Sequence, residues 1–154
     1  MATTPKNVYS PTELLGMVGD SIGTSQWYDI DQQLVNEFGR ITKDEQWIHM
    51  DEEAAARGPF GGTIAHGFLT LSLLPTLMSE AFQVNGAKMV VNYGLDRVRY
   101  PAPVLVGQRI RAQVQVKEAT EIPNGVHVVF SVVIERDGED RPGCVAESVA
   151  RYLN

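Results

Sequence analysis

Apolar side chains recur with the period of a helix in two stretches of the first half of the chain. In the first stretch the spacing is 3.6 residues, and it is formed by Leu34, Val35, Phe38 and Ile41. Asp29 or Asp31 stands where a helix N-cap is expected. The second stretch, residues 66–82, is apolar on nearly all sides and predicts one buried helix roughly 25 Å long, which must be covered all round. Residues 51–57 add a short helix, and Asp44 and His49 then flank a loop.

The second half of the chain alternates between apolar and polar positions, as strands with one solvated face do. The clearest alternation is formed by Ile110, Ala112, Val114 and Val116. Other strands are predicted over residues 24–28, 89–100 with an interruption, 126–135 and 143–153, with a hairpin turn at 123–125. A helix and an antiparallel sheet make an α+β domain. Since no linker or repeat is found, a single domain is predicted over residues 1–154.

The composition favours a folded globular domain in the cytoplasm. Of the 154 residues, 44% are hydrophobic and 21% are charged, which suits one domain with its own core. The net charge is −6 and the basic residues are scattered, so no nucleic acid is expected as a partner. Residues 68–78 are too few to span a membrane, and Pro75 interrupts them. Cys144 is the only cysteine, which fits a reducing compartment, and the N-terminus lacks a signal-peptide pattern.

Residues 41–74 hold the groups best suited to chemistry. Asp44 and His49 lie five positions apart, and His66 and Gly67 stand where the apolar helix begins. A carboxylate together with an imidazole can transfer protons in both directions. The Gly67 amide, in the first turn of a helix, has no partner within that helix and could hold an oxyanion.

Each of these residues also has a structural interpretation. A lone Asp or His in a loop is often a cap or a hydrogen-bonded structural group. His66 is expected to fix the start of the helix, and Gly67 can be required by tight packing alone. The histidine spacings fit no zinc pattern, so no metal is expected. Cys144 is interpreted as a small buried side chain rather than a nucleophile.

The same segment resembles a known family. Asp44, His49, the Phe60-Gly61-Gly62 turn and His66-Gly67-Phe68-Leu69 are similar to the MaoC-like, or R-specific enoyl-CoA hydratase, branch of the hotdog-fold superfamily. Asn92-Tyr93-Gly94 and the sequence RYPAPV at 99–104 resemble the same family's strand and bend. The resemblance implies a long central helix wrapped by an antiparallel β-sheet, a homodimer, and an acyl-CoA or acyl-carrier thioester as substrate. No cofactor is implied, because coenzyme A is part of the substrate.

The resemblance also assigns roles. Asp44 and His49 become the catalytic pair, and the Gly67 backbone NH becomes the donor to the thioester oxygen. The implied reaction adds water reversibly to a trans-2-enoyl thioester and gives the R-3-hydroxyacyl thioester. It is the work of a hydro-lyase in fatty acid metabolism. The candidate substrate contacts are Gln46, Trp47, Phe60, His66 and Ser72.

Departures from the commoner family pattern leave alternatives open. Gln46 and Trp47 replace the usual asparagine and proline, and Pro75 falls where some members have serine, with Ser72 one turn earlier. The run GPFGGTIAHGFLTLSLLP is closer to a nodulation-protein-like subgroup. One alternative is a noncatalytic acyl-thioester binding subunit of a heteromeric dehydratase. Another is a hotdog thioesterase, for which Glu80 would be the acidic residue.

Overall fold

Helices and strands alternate in the first half of the chain and strands fill the second half. The computed structural model describes residues 7–154; the first six residues of the domain predicted over 1–154 lie outside them. The helices are α1 Pro11–Leu14, α2 Gln32–Thr42, α3 Trp47–Met50, α4 Glu52–Ala56, α5 Gly67–Ser72 and α6 Leu74–Ala81. The strands are β1 Val8–Tyr9, β2 Ser21–Thr24, β3 Tyr28–Asp29, β4 Gln83–Val84, β5 Met89–Arg99, β6 Arg109–Ile122, β7 Gly125–Arg136 and β8 Cys144–Leu153.

The main sheet is antiparallel in the order β2-β6-β7-β8-β5, with β3 also paired to β6. The predicted hairpin between β6 and β7 is confirmed, with Pro123 and Asn124 forming its turn. Asn124 has φ of 64°, a left-handed conformation that asparagine tolerates better than most residues. Gly125 has no room for a side chain, since a Cβ there would lie 2.0 Å from the Tyr152 carbonyl oxygen.

The apolar stretch at 66–82 is helical but is not one continuous helix. It forms α5 and α6, which meet at Leu73. Pro75 has no NH to donate to the carbonyl four residues earlier, and its ring crowds that carbonyl, so the helix is interrupted there. Leu69 and Leu77 are buried in the same core as Phe130 of the sheet.

The expectation that this helix is covered on every side is wrong for the described chain. Phe68, in the first turn of α5, is 70% exposed. The remaining apolar residues of the two helices pack towards the sheet, so the covered surface is one side of each helix rather than its whole circumference.

Two predicted strands differ in their bounds. The strand predicted over residues 24–28 is divided into β2 and β3. Between them, the hydroxyl of buried Ser25 accepts a hydrogen bond from the Ala112 amide at 2.9 Å, in the place of a backbone carbonyl. The interrupted strand predicted over 89–100 is the single strand β5, whose irregularities are bulges around Asn92 and Leu95.

Helix α2 follows its prediction and delivers the chain to Asp44. Asp31, rather than Asp29, is the N-cap, and its carboxylate accepts from the Leu34 amide at 2.8 Å. The helix ends at Lys43, which has φ of 62°. A Cβ on Gly39 would lie 3.0 Å from the Asp44 carbonyl oxygen, so glycine lets α2 pack closely against the next segment. None of the described helices is long and apolar enough to span a membrane.

Candidate active site

The sequence suggested that His49 lies at the edge of a loop. In the structure it lies on a helical turn instead. The turn is α3, which is followed directly by α4 with Asp51 as its N-cap. The His49 side chain is buried, with 6% of its surface exposed, whereas Asp44 is half-buried near the start of the loop between α2 and α3. Close packing of α2 on this segment therefore brings a partly exposed carboxylate beside a buried imidazole.

Asp44, His49 and His66 converge on one point. A carboxylate oxygen of Asp44 and one ring nitrogen of each histidine lie within 4.8 Å of one another. The two imidazole rings stack with centroids 3.9 Å apart and an interplanar angle of 26°. The ring of Phe38, from α2, covers His66 with centroids 5.1 Å apart. The structure thus brings together the predicted pair and adds His66 as a direct neighbour of both.

The hydrogen bond of the His49 ring fixes which nitrogen carries the proton. Its Nδ1 lies 2.7 Å from the Ile64 carbonyl oxygen. A carbonyl oxygen only accepts, so Nδ1 donates and the neutral ring keeps its lone pair on Nε2. His49 therefore presents a proton acceptor on the side of the ring that faces away from Ile64.

Burial lowers the pKa of His49 below its ordinary value of 6.5. The neighbouring His66 lowers this pKa further, whereas the bond to the Ile64 carbonyl and the charge of Asp44 raise it and offset part of the shift. Desolvation is the largest of these effects, because a charged imidazolium loses its hydration in the interior. His49 is therefore neutral at pH 7 and able to take up a proton.

His66 connects the two members of the predicted pair. It is 2% exposed, its Nε2 donates to the Asp44 backbone carbonyl at 2.8 Å, and its ring stacks on His49. Its Nδ1 is buried without a hydrogen-bond partner among residues 7–154. These contacts suit the structural role expected for His66, because they tie the loop of Asp44 to the ring of His49.

The same three side chains are poorly arranged for a metal ion. A metal lies close to the ring plane of each histidine that binds it, about 2.0–2.1 Å from the nitrogen. Two planes inclined by only 26°, with centroids 3.9 Å apart, intersect far beyond that distance. One ion cannot lie in both planes, so this cluster is better suited to proton transfer than to metal binding.

Gly67 is the first residue of α5, and its amide points out of the end of the helix. The N-cap is His66, whose side chain makes no capping hydrogen bond. No hydrogen bond from the Gly67 amide is formed within residues 7–154. A Cβ on this residue would lie 3.1 Å from the ring of Tyr100, tighter than most contacts of this kind. A free donor and close packing thus coincide at Gly67.

Comparison with known proteins identifies the family. The MaoC like domain family matches residues 14–137. The chain belongs to this MaoC-like family. It is 48% identical to the 3-hydroxyacyl-thioester dehydratase Z of Mycobacterium tuberculosis, over 94% of this chain and 96% of that protein. It is 38% identical to nodulation protein N of Rhizobium meliloti, over 92% and 89% of the two chains.

The fold agrees with that assignment. The (R)-hydratase from A. caviae has a similar structure, with a TM-score of 0.69 and 22% identity over 84% of this chain and 94% of that one. The predictions of a MaoC-like chain with a nodulation-protein-like character, and of an α+β hotdog fold, are confirmed.

Of the other residues predicted to contact the substrate, Gln46, Trp47 and Phe60 are exposed, whereas Ser72 lies at the end of α5. Gln46 is exposed and its Nε2 donates to the Asp44 carboxylate over a long 3.4 Å. Trp47 and Phe60 are 49% and 40% exposed, which excludes both from the core. Ser72 is not in the cluster, since its hydroxyl donates to the Phe68 carbonyl at 2.6 Å on the last turn of α5.

An apolar groove lies at the C-terminal end of α5, where it is lined by Leu71 and Ser72. Its volume is about 910 Å³, and it separates α5 and α6 from strands β5 and β8. Its walls are mainly apolar and include Leu71, Met78, Phe82, Leu95, Phe130 and Tyr152. Ser72 also lines it, whereas Asp44, His49 and Gly67 do not. Helix α5 therefore connects the polar cluster, at its first residue, with an apolar groove, at its last.

Cys144 is excluded as a nucleophile. It is fully buried on β8, and burial raises the pKa of its thiol to about 11. A thiol in this setting is neither ionised nor accessible at pH 7.

The sequence missed two side chains that support the cluster. Gln32, at the start of α2, donates from its amide to the His49 carbonyl at 2.7 Å. Thr63 donates to the Gln32 amide oxygen at 2.5 Å. Gln32 lies 17 positions from His49 and 31 positions from Thr63. No local sequence pattern indicates hydrogen bonds between residues so far apart.

Proposed function

We propose that this MaoC-like protein is an R-specific 3-hydroxyacyl-thioester dehydratase, which works in reverse as an enoyl-CoA hydratase. The observation that carries the proposal is the neutral, buried imidazole of His49, with its lone pair on Nε2, beside the Asp44 carboxylate. The relatives named above bear out the dehydratase class that the sequence predicted.

In the hydration direction the pair acts on one water molecule. Asp44 and His49 hold the water, the water oxygen bonds to C3 of the enoyl thioester, and the pair accepts the released proton. Electrons of the double bond move towards the thioester carbonyl, whose oxygen gains negative charge. The Gly67 amide donates to that oxygen. A proton from the pair then bonds to C2, so that one OH and one H have been added. Dehydration follows the same steps in reverse.

The substrate is an acyl thioester, and we assign its parts to the exposed surface around the cluster. The exposed rings of Trp47 and Phe60 provide apolar contacts on the protein surface, and Gln46 provides an amide beside the Asp44 carboxylate. Coenzyme A or an acyl carrier protein is the thiol component of the substrate, and the reaction needs no further cofactor.

A homodimer is proposed from the free edge of the sheet. Strand β5 is paired only to β8 within the described chain and has four exposed apolar side chains: Met89, Val90, Tyr93 and Leu95. The unpaired backbone NH and carbonyl groups of a long, apolar edge strand can bond to a strand of another chain, and proteins usually cover such edges. A second copy of this chain would cover β5. The cytoplasmic location stays a prediction from the sequence.

The reaction is tested by incubating the purified protein with crotonyl-CoA and with a longer trans-2-enoyl-CoA. We expect the enoyl absorbance to fall and an R-3-hydroxyacyl-CoA to accumulate without release of free thiol. Release of thiol would instead identify a thioesterase. Absence of turnover in both directions would favour the noncatalytic binding subunit. The thioesterase alternative depends on Glu80, which lies one residue before the end of α6 and outside the cluster.

The pH dependence of kcat/KM for hydration follows from the pKa of His49. Below that pKa the ring is protonated and cannot accept a proton from water. Because the pKa is lowered from 6.5, we expect activity to reach half of its plateau only at a pH below 6.5. A pH–rate profile measured with a substrate that binds equally at all pH values checks this. A half-maximal rate at a pH above 6.5 would contradict the assignment.

A further inference from the structure

The helical turn that carries His49 cannot hold its own position. Helix α3 has four residues, and its N-cap Gln46 makes no side-chain capping bond. Isolated helices of this length are unstable, because nucleation fixes several residues for a single hydrogen bond. Contacts from other parts of the chain must therefore fix the place and the direction of the His49 ring.

Two of these contacts come from the segment before α5. The Ile64 amide donates to the Ile48 carbonyl at 3.0 Å, and the His49 ring donates to the Ile64 carbonyl at 2.7 Å. They engage the Ile48 carbonyl and the His49 ring, but not the His49 carbonyl. The carbonyl of His49 is near the end of α3, where helix carbonyls have no partner in the helix.

Gln32 supplies the contact to the His49 carbonyl. Its Nε2 donates to the His49 carbonyl at 2.7 Å and to the Asn36 side chain at 3.0 Å, while its Oε1 accepts from the Thr63 hydroxyl at 2.5 Å. Thr63 is 5% exposed and directly precedes Ile64. One side-chain amide thus joins the first turn of α2, the His49 turn and the segment that fixes the His49 tautomer.

The His49 carbonyl determines which way the Gln32 amide faces, because a carbonyl oxygen only accepts hydrogen bonds. With its NH2 group directed at this carbonyl and at Asn36, the Gln32 amide presents its oxygen to the buried Thr63 hydroxyl, which donates to it. If the amide were reversed, its oxygen would face the His49 carbonyl oxygen, and two acceptors cannot bond to each other.

We propose that Gln32 and Thr63 are positioning residues for the reaction, which hold the His49 ring towards the Asp44 carboxylate through the His49 backbone. Neither residue touches the reacting atoms. The inference rests on the proposed function for its kinetic consequence, but the placement of the ring can be measured without any turnover.

The test uses Gln32→Ala with Gln33→Ala as its matched control. Gln33 is the next residue of α2, is exposed, and bonds only to Glu37 among the described residues. We expect Gln32→Ala to lower kcat between about tenfold and about a hundredfold with little change in KM, as misplaced catalytic groups do. Gln33→Ala should stay within about twofold of the parent, by the same reasoning, because it leaves the His49 turn untouched.

Two further variants separate the hydrogen bonds from packing. Gln32→Glu keeps the shape of the side chain but has no NH2 group for the His49 carbonyl, and Thr63→Val removes the hydroxyl that holds the amide oxygen. Both should lower kcat in the same way as Gln32→Ala. Adding Thr63→Val to Gln32→Ala should cause no further loss, because the two residues act through one contact.

An NMR titration of His49 gives a readout that is independent of activity. In the parent protein His49 should titrate below 6.5 as the Nδ1–H tautomer. His66 and Asp44 are the titratable groups that influence it. A looser turn admits water, so in Gln32→Ala the His49 pKa should rise, while Gln33→Ala should leave it unchanged. An unshifted His49 signal and unchanged kcat in the Gln32 variants would overturn the inference. A shifted signal in a protein without hydratase activity would overturn only the proposed function.

Discussion

Asp44→Asn and His49→Gln should each lower kcat for enoyl-thioester hydration by about a thousandfold. The asparagine amide cannot accept a proton at pH 7, and glutamine has no titratable nitrogen. Each variant therefore removes one member of the pair that must transfer protons to and from water. The measurement is the loss of enoyl absorbance under saturating substrate, with the thermal unfolding midpoint recorded for each variant.

Matched controls distinguish these effects from general damage. Asp51→Asn changes another acidic residue two positions after His49, and asparagine serves equally well as the N-cap of α4. His127→Gln changes a histidine of β7 whose Nδ1 accepts from Arg151, and the glutamine oxygen can accept in its place. Both controls should retain near-parental activity. Folded Asp44→Asn and His49→Gln proteins that hydrate substrate at the parental rate would refute the catalytic roles.

Gly67→Pro should lower kcat by between about a hundredfold and about a thousandfold, the usual effect of losing one oxyanion donor. The substitution removes the backbone NH and suits the local backbone. Gly67 is the first residue of α5, a position that favours proline. His66 has φ of −58° and ψ of 139°, the extended conformation required before proline. Steady-state kinetics together with circular dichroism tests this outcome.

Gly67→Ala is the matched control for added bulk. Its Cβ approaches the Tyr100 ring to 3.1 Å, but Tyr100 is 42% exposed and has room to move, and the NH is kept. We expect a loss of no more than about tenfold, because the donor remains. Equal losses in the alanine and proline variants would mean that glycine is required for packing against Tyr100 and not for its NH.

The predictable parts of the fold are those determined by neighbouring residues. Helix α2 and its cap at Asp31 follow from local periodicity and from one short polar side chain. The β6–β7 hairpin follows from the turn residues at 123–125. The interruption of the apolar helix was readable at Pro75, but the strong apolar pattern on both sides of that residue favoured continuity, and the local effect of proline prevailed.

Contacts between distant residues determine the rest. The gap between β2 and β3 depends on Ser25 meeting Ala112, which is 87 positions away. The sequence indicated that Asp44 and His49 belong together, because they lie five positions apart. It could not indicate that His66 stacks on His49, nor which His49 nitrogen carries the proton. Both depend on how the segment at 63–66 folds back onto α3.

In the site, too, the sequence predicts features set by neighbouring residues better than the placement of side chains in space. Residue types alone pointed to Gly67, since a glycine at a helix start leaves its amide accessible. They also suggested Ser72 as a substrate contact, which stays a prediction. Ser72 is the last residue of α5 and lines the apolar groove rather than the polar cluster. The position of a side chain around a helix axis decides its role here, and residue type does not reveal it.

The most direct test of the paired roles of Asp44 and His49 is a crystal structure with a bound R-3-hydroxyacyl thioester. We predict that the 3-hydroxyl oxygen lies about 2.6–3.2 Å from both the Asp44 carboxylate and the Nε2 of His49, as general acid–base transfer requires. The thioester oxygen should accept from the Gly67 amide. A ligand whose hydroxyl lies out of reach of both side chains would contradict the account.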